Sequence, residues 1–298
     1  MADLTQALRL TTMTVVVDAD GVALATLART KQGNAFNGAM ASDMLAAFAA
    51  LDRDDRCKVI VVTGSGALFC AGADFREGDF ADAANGSSLE AFHSHRDLGG
   101  RVVLAIANCR KTTIAAINGS AVGVGITMTL PMDIRYAHKD AKIGFVFARR
   151  GICMEACSSF YLPRLIGHSR ALDLVLTGRV YKASDKMLDL LFSRVLDKPE
   201  DVLLEALRTA KEIAVNCSTT ATAITRALVW RGGSTPEEAH LLDSKGIFWL
   251  GNGADSKEGV KAFLEKRPAR FGDTVTTHMP PNYPWWLAPN VTPRNSKL

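Results

Sequence analysis

No apolar run in this 298-residue chain approaches the roughly 20 residues that a membrane-spanning helix requires. Nor is there a block of Lys or Arg, or basic residues interleaved with aromatics. With a net charge of only +4, neither a membrane span nor a nucleic-acid partner is expected. The start, MADLTQALRLTTMTVVV, has an early acid and lacks the basic-then-apolar layout of a secretory signal. Cys57, Cys70, Cys109, Cys153, Cys157 and Cys217 are scattered, without a C-x-x-C pair or zinc-type spacing, so buried reduced thiols are expected. Cys153 and Cys157 fall close enough to the candidate site below to line a pocket. No histidine shares their segment to activate either one as a nucleophile. His93 and His95 form an H-x-H pair at the start of a helix expected to run on through Ala107; with no further clustered ligand, no metal site is expected.

What the chain does have is 48% hydrophobic and 22% charged residues, a globular balance, and length enough for one large core with an appendage. Its organising stretch runs from Lys111 to Gly167. A β-rich run, Thr112 to Ile117, ends at Asn118-Gly119, and Gly123 and Gly125 follow on either side of Val124, before a short apolar helix. Glycines where a strand meets a helix N-terminus let backbone N–H groups approach a negative charge. A second glycine-linked segment then brings one acid, Glu155, into apolar and small surroundings. Together these read as an oxyanion pocket with a single acid/base; the alternative for Glu155 is an ordinary acid at a helix start. The third glycine of a dinucleotide fingerprint is missing at Met128, which excludes that reading.

An earlier stretch repeats the theme. A buried-type strand, 59–63, gives way to Gly64-Ser65-Gly66 and then to Leu68-Phe69-Cys70-Ala71-Gly72-Ala73-Asp74. Either Asp74 caps a helix here, or an N–H just after Gly72 helps bind an anion. Around these turns the pattern predicts a hairpin over 13–27, a helix over 38–52, an exposed loop over 76–88 and a strand over 133–137. Helical spacing over 158–196 is interrupted at Pro163, Gly167 and Gly178. After Pro199 only helices are expected, at 200–214, 219–230, after the capping box Thr235-Pro236-Glu237-Glu238, and from 255 to 267. The division is thus 1–198 and 199–298. In the proline-rich tail, Tyr283, Trp285 and Trp286 are expected to dock on a protein surface. The chain closes on Ser296-Lys297-Leu298, a tripeptide that the peroxisomal import receptor reads at a free C-terminus. A peroxisomal location is the expectation, with a chance tripeptide as the alternative.

Several segments, in chain order, resemble the enoyl-CoA hydratase/isomerase (crotonase) superfamily. They are R-T-K-Q-G-N-A-F (29–36), F-C-A-G-A-D (69–74), A-x-x-N-G-x-A-x-G-x-G (115–125), M-D-I-R-x-A (132–137), L-T-G (176–178) and K-E-G-V-K-A-F-L-E-K-R (257–267). The resemblance implies an α/β, crotonase-like spiral of ββα units with a C-terminal helical region that builds homotrimers, often stacked as hexamers. It also implies an acyl-CoA substrate, with coenzyme A carried by the substrate and no separate cofactor. The N–H groups of Ala73 and Val124 would grip the thioester oxygen. Arg29, Lys31, Ala71 and Asp74 fall in the family's CoA-side loops. Phe263 and Lys266 match C-terminal residues that reach the nucleotide, commonly from a neighbouring subunit.

The acids depart from the hydratase pattern. Where hydratases carry two catalytic glutamates, this chain has Thr127 and Phe147, and neither is a general base at neutral pH. Glu155 instead matches the catalytic glutamate of peroxisomal Δ3,Δ2-enoyl-CoA isomerases, with Phe145, Phe147 and Ile152 as apolar walls. The resemblance therefore implies an isomerase. The alternatives are a hydratase or specialised crotonase of a secondary pathway, and a non-catalytic acyl-CoA-binding protein.

Overall fold

The strand at Val59–Gly64 is buried along its whole length, as expected of a parallel strand covered on both faces. A computed structural model, which describes residues 1–76 and 89–292 and the side chains of all of these except 89–91, shows how it is covered. In chain order the strands are β1 (Ala2–Asp3), β2 (Met13–Val17), β3 (Val22–Leu27), β4 (Val59–Gly64), β5 (Leu68–Cys70), β6 (Thr112–Ile117), β7 (Ser120–Val122), β8 (Ile134–His138), β9 (Lys142–Gly144), β10 (Val180–Lys182) and β11 (Arg194–Leu196). A seven-stranded sheet runs β1-β2-β3-β4-β6-β8-β11, and a four-stranded one β10-β9-β7-β5. The expected hairpin pairs Met13 with Leu27 and Val17 with Ala23. From β3 onward the large sheet is parallel.

The spiral follows from this order. In successive turns the chain places β4, β6 and β8 in the large sheet and β5, β7 and β9 in the small one, then leaves through a helix. The helices are α1 (Gly38–Arg53), α2 (Leu89–Ser94), α3 (Leu98–Asn108), α4 (Val124–Thr127), α5 (Ser158–Ile166), α6 (His168–Thr177), α7 (Pro199–Asn216), α8 (Thr219–Arg231), α9 (Pro236–Asn252) and α10 (Ala254–Glu265). Helix α1 starts where Asn37 accepts from the Met40 N–H, and it buries Met40, Met44, Phe48 and Leu51 as its spacing predicts, with Leu45 of the same face only partly covered. Two features differ from expectation. The helical reading of 158–196 misses β10 and β11, three-residue strands with mostly exposed side chains and hence no alternation to detect. The helix expected from His93 onward is two helices, because Asp97 caps a new start at α3.

The expected boundary at 198/199 falls at the entry to α7, yet α7 is covered by the sheet of residues 1–198. Val202, Ala206, Ala210 and Ala214 recur every fourth residue, a narrow small-residue stripe that lets the helix lie close on the sheet. That stripe meets Val59, Val61, Ile114 and Ala116 in a second core. Further on, α9 buries only Gly246, and Leu241, Ile247 and Phe248 face outward. The tail does dock. Trp285 Nε1 donates to the Arg231 carbonyl at 2.8 Å, and the Arg231 guanidinium lies over the Trp286 ring.

Asp133 ties α8 to the sheet. Its Oδ2 accepts from the Thr113 N–H at 2.7 Å and from the Thr113 hydroxyl at 2.9 Å, while Oδ1 takes the Arg226 guanidinium. Both ionic side chains are largely buried. Removing one partner of such a pair strands the other charge, so Arg226→Met is expected to lower unfolding stability by roughly 3 kcal/mol. Urea denaturation of the two proteins checks this; a midpoint unchanged from wild type contradicts it.

Candidate active site

In the small sheet β5 pairs in parallel with β7, and β7 in parallel with β9. Their C-terminal ends therefore open on one edge, where ligands of parallel α/β sheets are usually bound. After β5 the chain passes Ala71 to Asp74; after β7, Gly123 and Val124; after β9, Phe145 to Phe147 and on to Glu155. In the first turn the Phe36 N–H donates to the Gly72 carbonyl, and the Asp74 N–H donates to the Phe36 carbonyl, each at 2.8 Å. This parallel bridge leaves the Ala73 N–H pointing the other way, without an acceptor among the described residues. In the second turn Val124 is the first residue of α4, and the leading N–H groups of a helix have no intrahelical acceptor. Gly125 sets the spacing of the two turns. A Cβ there would lie 2.4 Å from the Cys70 carbonyl oxygen, so only glycine lets α4 lean this closely on β5.

Glu155 stands beside these turns with its two oxygens differently placed. Oε1 accepts from the Thr127 hydroxyl at 2.7 Å. Oε2 lies against the start of α3, where a Cβ added to Gly99 would come within 2.1 Å of it. Burial pushes the Glu155 carboxyl up to about 7; the Thr127 hydrogen bond opposes this and the Asp97 charge adds to it. The backbone here is unusual. Ala156 and Cys157 both have positive φ, at 53° and 52°, conformations that cost about 1–3 kcal/mol each and persist only where surroundings over-determine them. The Ser158 N–H and hydroxyl both donate to the Glu155 carbonyl. Asp97 Oδ2 accepts from the Ala156 N–H at 3.1 Å and from the Gly100 N–H at 2.6 Å.

The sequence reading missed Asp97 and Gly99. The signal was present: an Asp before Leu98-Gly99-Gly100 puts two poor helix formers into a first helical turn, which calls for a packing reason.

Other expected residues divide. Thr127 is fully buried beneath Glu155, and Phe147 is nearly so, its ring edge 4.0 Å from where a side chain on Gly123 would begin. Ile152 packs partly buried against the core. Phe145 is a correction: it is wholly excluded from solvent, a core residue that backs the site instead of a wall that touches a ligand. Arg29 and Asp74 are corrections too. Arg29 binds the Asp74 carboxylate at 3.1 Å and the Ala35 carbonyl, so both charges lock the first turn and are not held out to a CoA phosphate. Lys31 and Ala71 are exposed on the neighbouring loops.

Phe263 and Lys266 are exposed on and just after α10, which packs against α9. Cys57, Cys70 and Cys109 are buried free thiols. Cys153 is exposed, whereas Cys157 is partly buried. Burial and then the Asp97 and Glu155 charges push the Cys157 thiol up, the opposite of what a nucleophilic thiolate needs. Among the described residues no group of three or more His, Cys, Asp and Glu could hold a metal. Most of the loop expected over 76–88, and Ser296-Lys297-Leu298, lie outside the described residues.

Known proteins resemble this chain over most of its length. Residues 18–274 match the family described as Enoyl-CoA hydratase/isomerase. A protein named Enoyl-CoA hydratase AFT3-1 from Alternaria alternata is 51% identical over 258 residues, 87% of this chain and 85% of that one. A putative enoyl-CoA hydratase from Thermus thermophilus is 31% identical over 257 residues, 86% of this chain and 100% of its own. The crystal structure of a probable enoyl-CoA hydratase/isomerase from Mycobacterium abscessus superposes with a TM-score of 0.77 at 32% identity, covering 88% of this chain and 99% of that one. That of an enoyl-CoA hydratase from Bacillus anthracis gives 0.79 at 25% identity, with the same coverage, 88% and 99%. The α/β spiral is crotonase-like.

The raised proton affinity of Glu155 has a consequence for stability. Its folded-state value of about 7 lies above the ordinary 4.5, so between these pH values the folded chain keeps a proton that the unfolded chain releases. The stability this group contributes is complete below about pH 4.5 and is lost as pH rises through about 7. Glu155→Gln carries no such penalty. Its melting temperature is expected to exceed wild type by more at pH 8 than at pH 5; an equal difference at both, in thermal denaturation, contradicts the assignment.

Proposed function

The chain belongs to the enoyl-CoA hydratase/isomerase family, and within it we propose an isomerase that moves a double bond of an enoyl-CoA from C3–C4 to C2–C3 by proton transfer. The observation that carries the proposal is the state of the acids. Of the carboxylates in and beside the turns, Asp74 is held by Arg29 and Arg76 and Asp97 is committed to backbone N–H groups, which leaves Glu155 to move a proton. Thr127 and Phe147 stand where the family's hydratases carry the glutamates that handle water.

In this reading the thioester oxygen lies between the Ala73 and Val124 N–H groups. Glu155 removes a proton from C2, and the C–H electrons pass into the carbonyl to give a dienolate. Two fixed main-chain donors stabilise the oxygen that gains this charge; removing one donor from such holes typically costs about 2.7–4 kcal/mol of barrier. Glu155 then returns the proton at C4, so protons and charge balance with no water consumed. A carboxyl with a value of about 7 suits both halves, since it takes and gives a proton near neutral pH. Phe147 and Ile152 supply apolar wall and keep water from the dienolate.

The remaining parts of the reading concern assembly and place. Val260, Phe263 and Leu264 on α10, together with the outward residues of α9, leave an apolar face exposed. That supports a homotrimer or hexamer in which Phe263 and Lys266 reach the nucleotide of CoA bound to a neighbour. In this reading Lys31 and Ala71, both exposed, meet CoA of the same subunit. The Ser296-Lys297-Leu298 terminus supports peroxisomal import.

The names of the relatives favour a second reading, hydration of a 2-enoyl-CoA, with Glu155 activating a bound water. Separate incubation with 3-enoyl-CoA and 2-enoyl-CoA distinguishes the two. The expected outcome is isomerisation of the first, little hydration of the second, and loss of at least 10²-fold in kcat on Glu155→Gln. The rate should rise with pH and level off above about 7. Rapid hydration that survives Glu155→Gln overturns the isomerase. Tight CoA binding with no α-proton exchange would instead indicate a catalytically silent acyl-CoA binder.

A further inference from the structure

We propose that Asp97 is a positioning residue for Glu155: by joining the Ala156 N–H to the start of α3, its carboxylate fixes where the proton-transfer carboxylate points. The inference rests on the reading of Glu155 as the proton-transfer group, and it adds a residue for which the sequence reading had no role.

The geometry is that of a clip. Glu155 lies on a connection whose next two residues are both left-handed and neither of them glycine, so the segment does not hold its shape by local preference. Contacts must hold it. Those from Ser158 close the segment on itself. The hydrogen bond from the Ala156 N–H to Asp97 Oδ2, at 3.1 Å, joins its backbone to another part of the fold. The same Oδ2 takes the Gly100 N–H at 2.6 Å, so one atom links the first turn of α3 to the residue following Glu155. The helix start in turn forms the surface against which Oε2 rests, where Gly99 leaves room for it. Thr127 holds Oε1 from α4. The carboxylate is thus held between two helix ends, and Asp97 keeps one of them in register with its backbone.

Asp97 also bears on the charge of Glu155. The titratable groups whose charges couple to Glu155 are Asp97, at the entry to α3, and Cys157, at the entry to α5. Thr127 does not titrate in this range. Burial raises the proton affinity of Glu155 and the negative charge of Asp97 adds to it. Asp97→Asn keeps an acceptor for both N–H groups and removes the charge. Asp97→Ala removes both.

The test measures kcat, KM and the pH dependence of α-proton exchange on an acyl-CoA for wild type, Asp97→Asn, Asp97→Ala and Glu155→Gln. It also titrates the Glu155 carboxyl directly by 13C NMR in wild type and Asp97→Asn, assigned by its loss in Glu155→Gln. For Asp97→Asn the expected result is an acid-limb midpoint, and a carboxyl titration, lower by roughly one pH unit, with kcat on the alkaline plateau within about threefold of wild type. Asp97→Ala is expected to lose about 10²-fold in kcat with KM nearly unchanged, the effect of a misplaced catalytic group on bound substrate. Wild-type kcat in Asp97→Ala overturns the proposal. Should Asp97→Ala fail to fold, Asp97→Ser, which keeps a cap for α3 but has too short a side chain to join it to the Ala156 N–H, decides by the same kcat and KM readout. Exchange undiminished in Glu155→Gln overturns the functional reading instead, while the NMR titration still reports on Asp97.

Discussion

Everything at the site depends on the parallel pairing of β5, β7 and β9, three short strands of the small sheet. Parallel strands end on the same side, so the turns that follow them are neighbours although their sequences lie far apart. Ala73, Val124 and the segment that leads to Glu155 each follow one of these strands. The pairing needs close contact, and the Gly125–Cys70 approach shows how close: one Cβ would force the turns apart. The large sheet and α7 serve mainly to hold this edge still.

Asp74 is buried and Glu155 partly so, and these two acids of the framework behave in opposite ways. Burial raises the proton affinity of Asp74, but the Arg76 N–H and the guanidinium groups of Arg29 and Arg76 outweigh it, and its carboxyl is held below the ordinary range. Asp74 therefore holds its charge more readily than an ordinary carboxyl and serves the fold. Glu155 has one hydroxyl and no cation, so burial prevails and the carboxyl rises to about 7. The difference lies in the partners: cations and an N–H beside Asp74, a hydroxyl and a second acid beside Glu155. It also explains why a loop that reads as a substrate-facing cluster of Arg29 and Asp74 is instead a fastening for the turn that carries Ala73.

Much of this was legible in the chain. The hairpin, α1 and the two glycine-bearing turns have strong local signals: alternation, a capping Asn37, and glycine at a strand-to-helix junction. Glu155 stood out as one acid among small and apolar residues. What could not be read depended on contacts between distant segments. Arg29 is satisfied by a carboxylate 45 residues later, and Asp97 by an amide 59 residues later; nothing local announces either partner. Phe145 and Phe147 are two residues apart and alike in composition, but only the fold tells which faces the core alone. The strands β10 and β11 are too short and too exposed for periodicity to register.

The two donors aimed at the thioester oxygen are main-chain N–H groups. Every amino acid except proline supplies the same atom there, so ordinary point mutation at 73 or 124 leaves the donor in place provided the turn survives. The acids are side chains, and a single codon change at 127, 147 or 155 adds or removes one. The charge-stabilising half of the site is thus built into the fold and inherited with it, while the half that selects the reaction is open to change one residue at a time. Divergence on this scaffold is accordingly expected to alter the acids first and the oxyanion turns last.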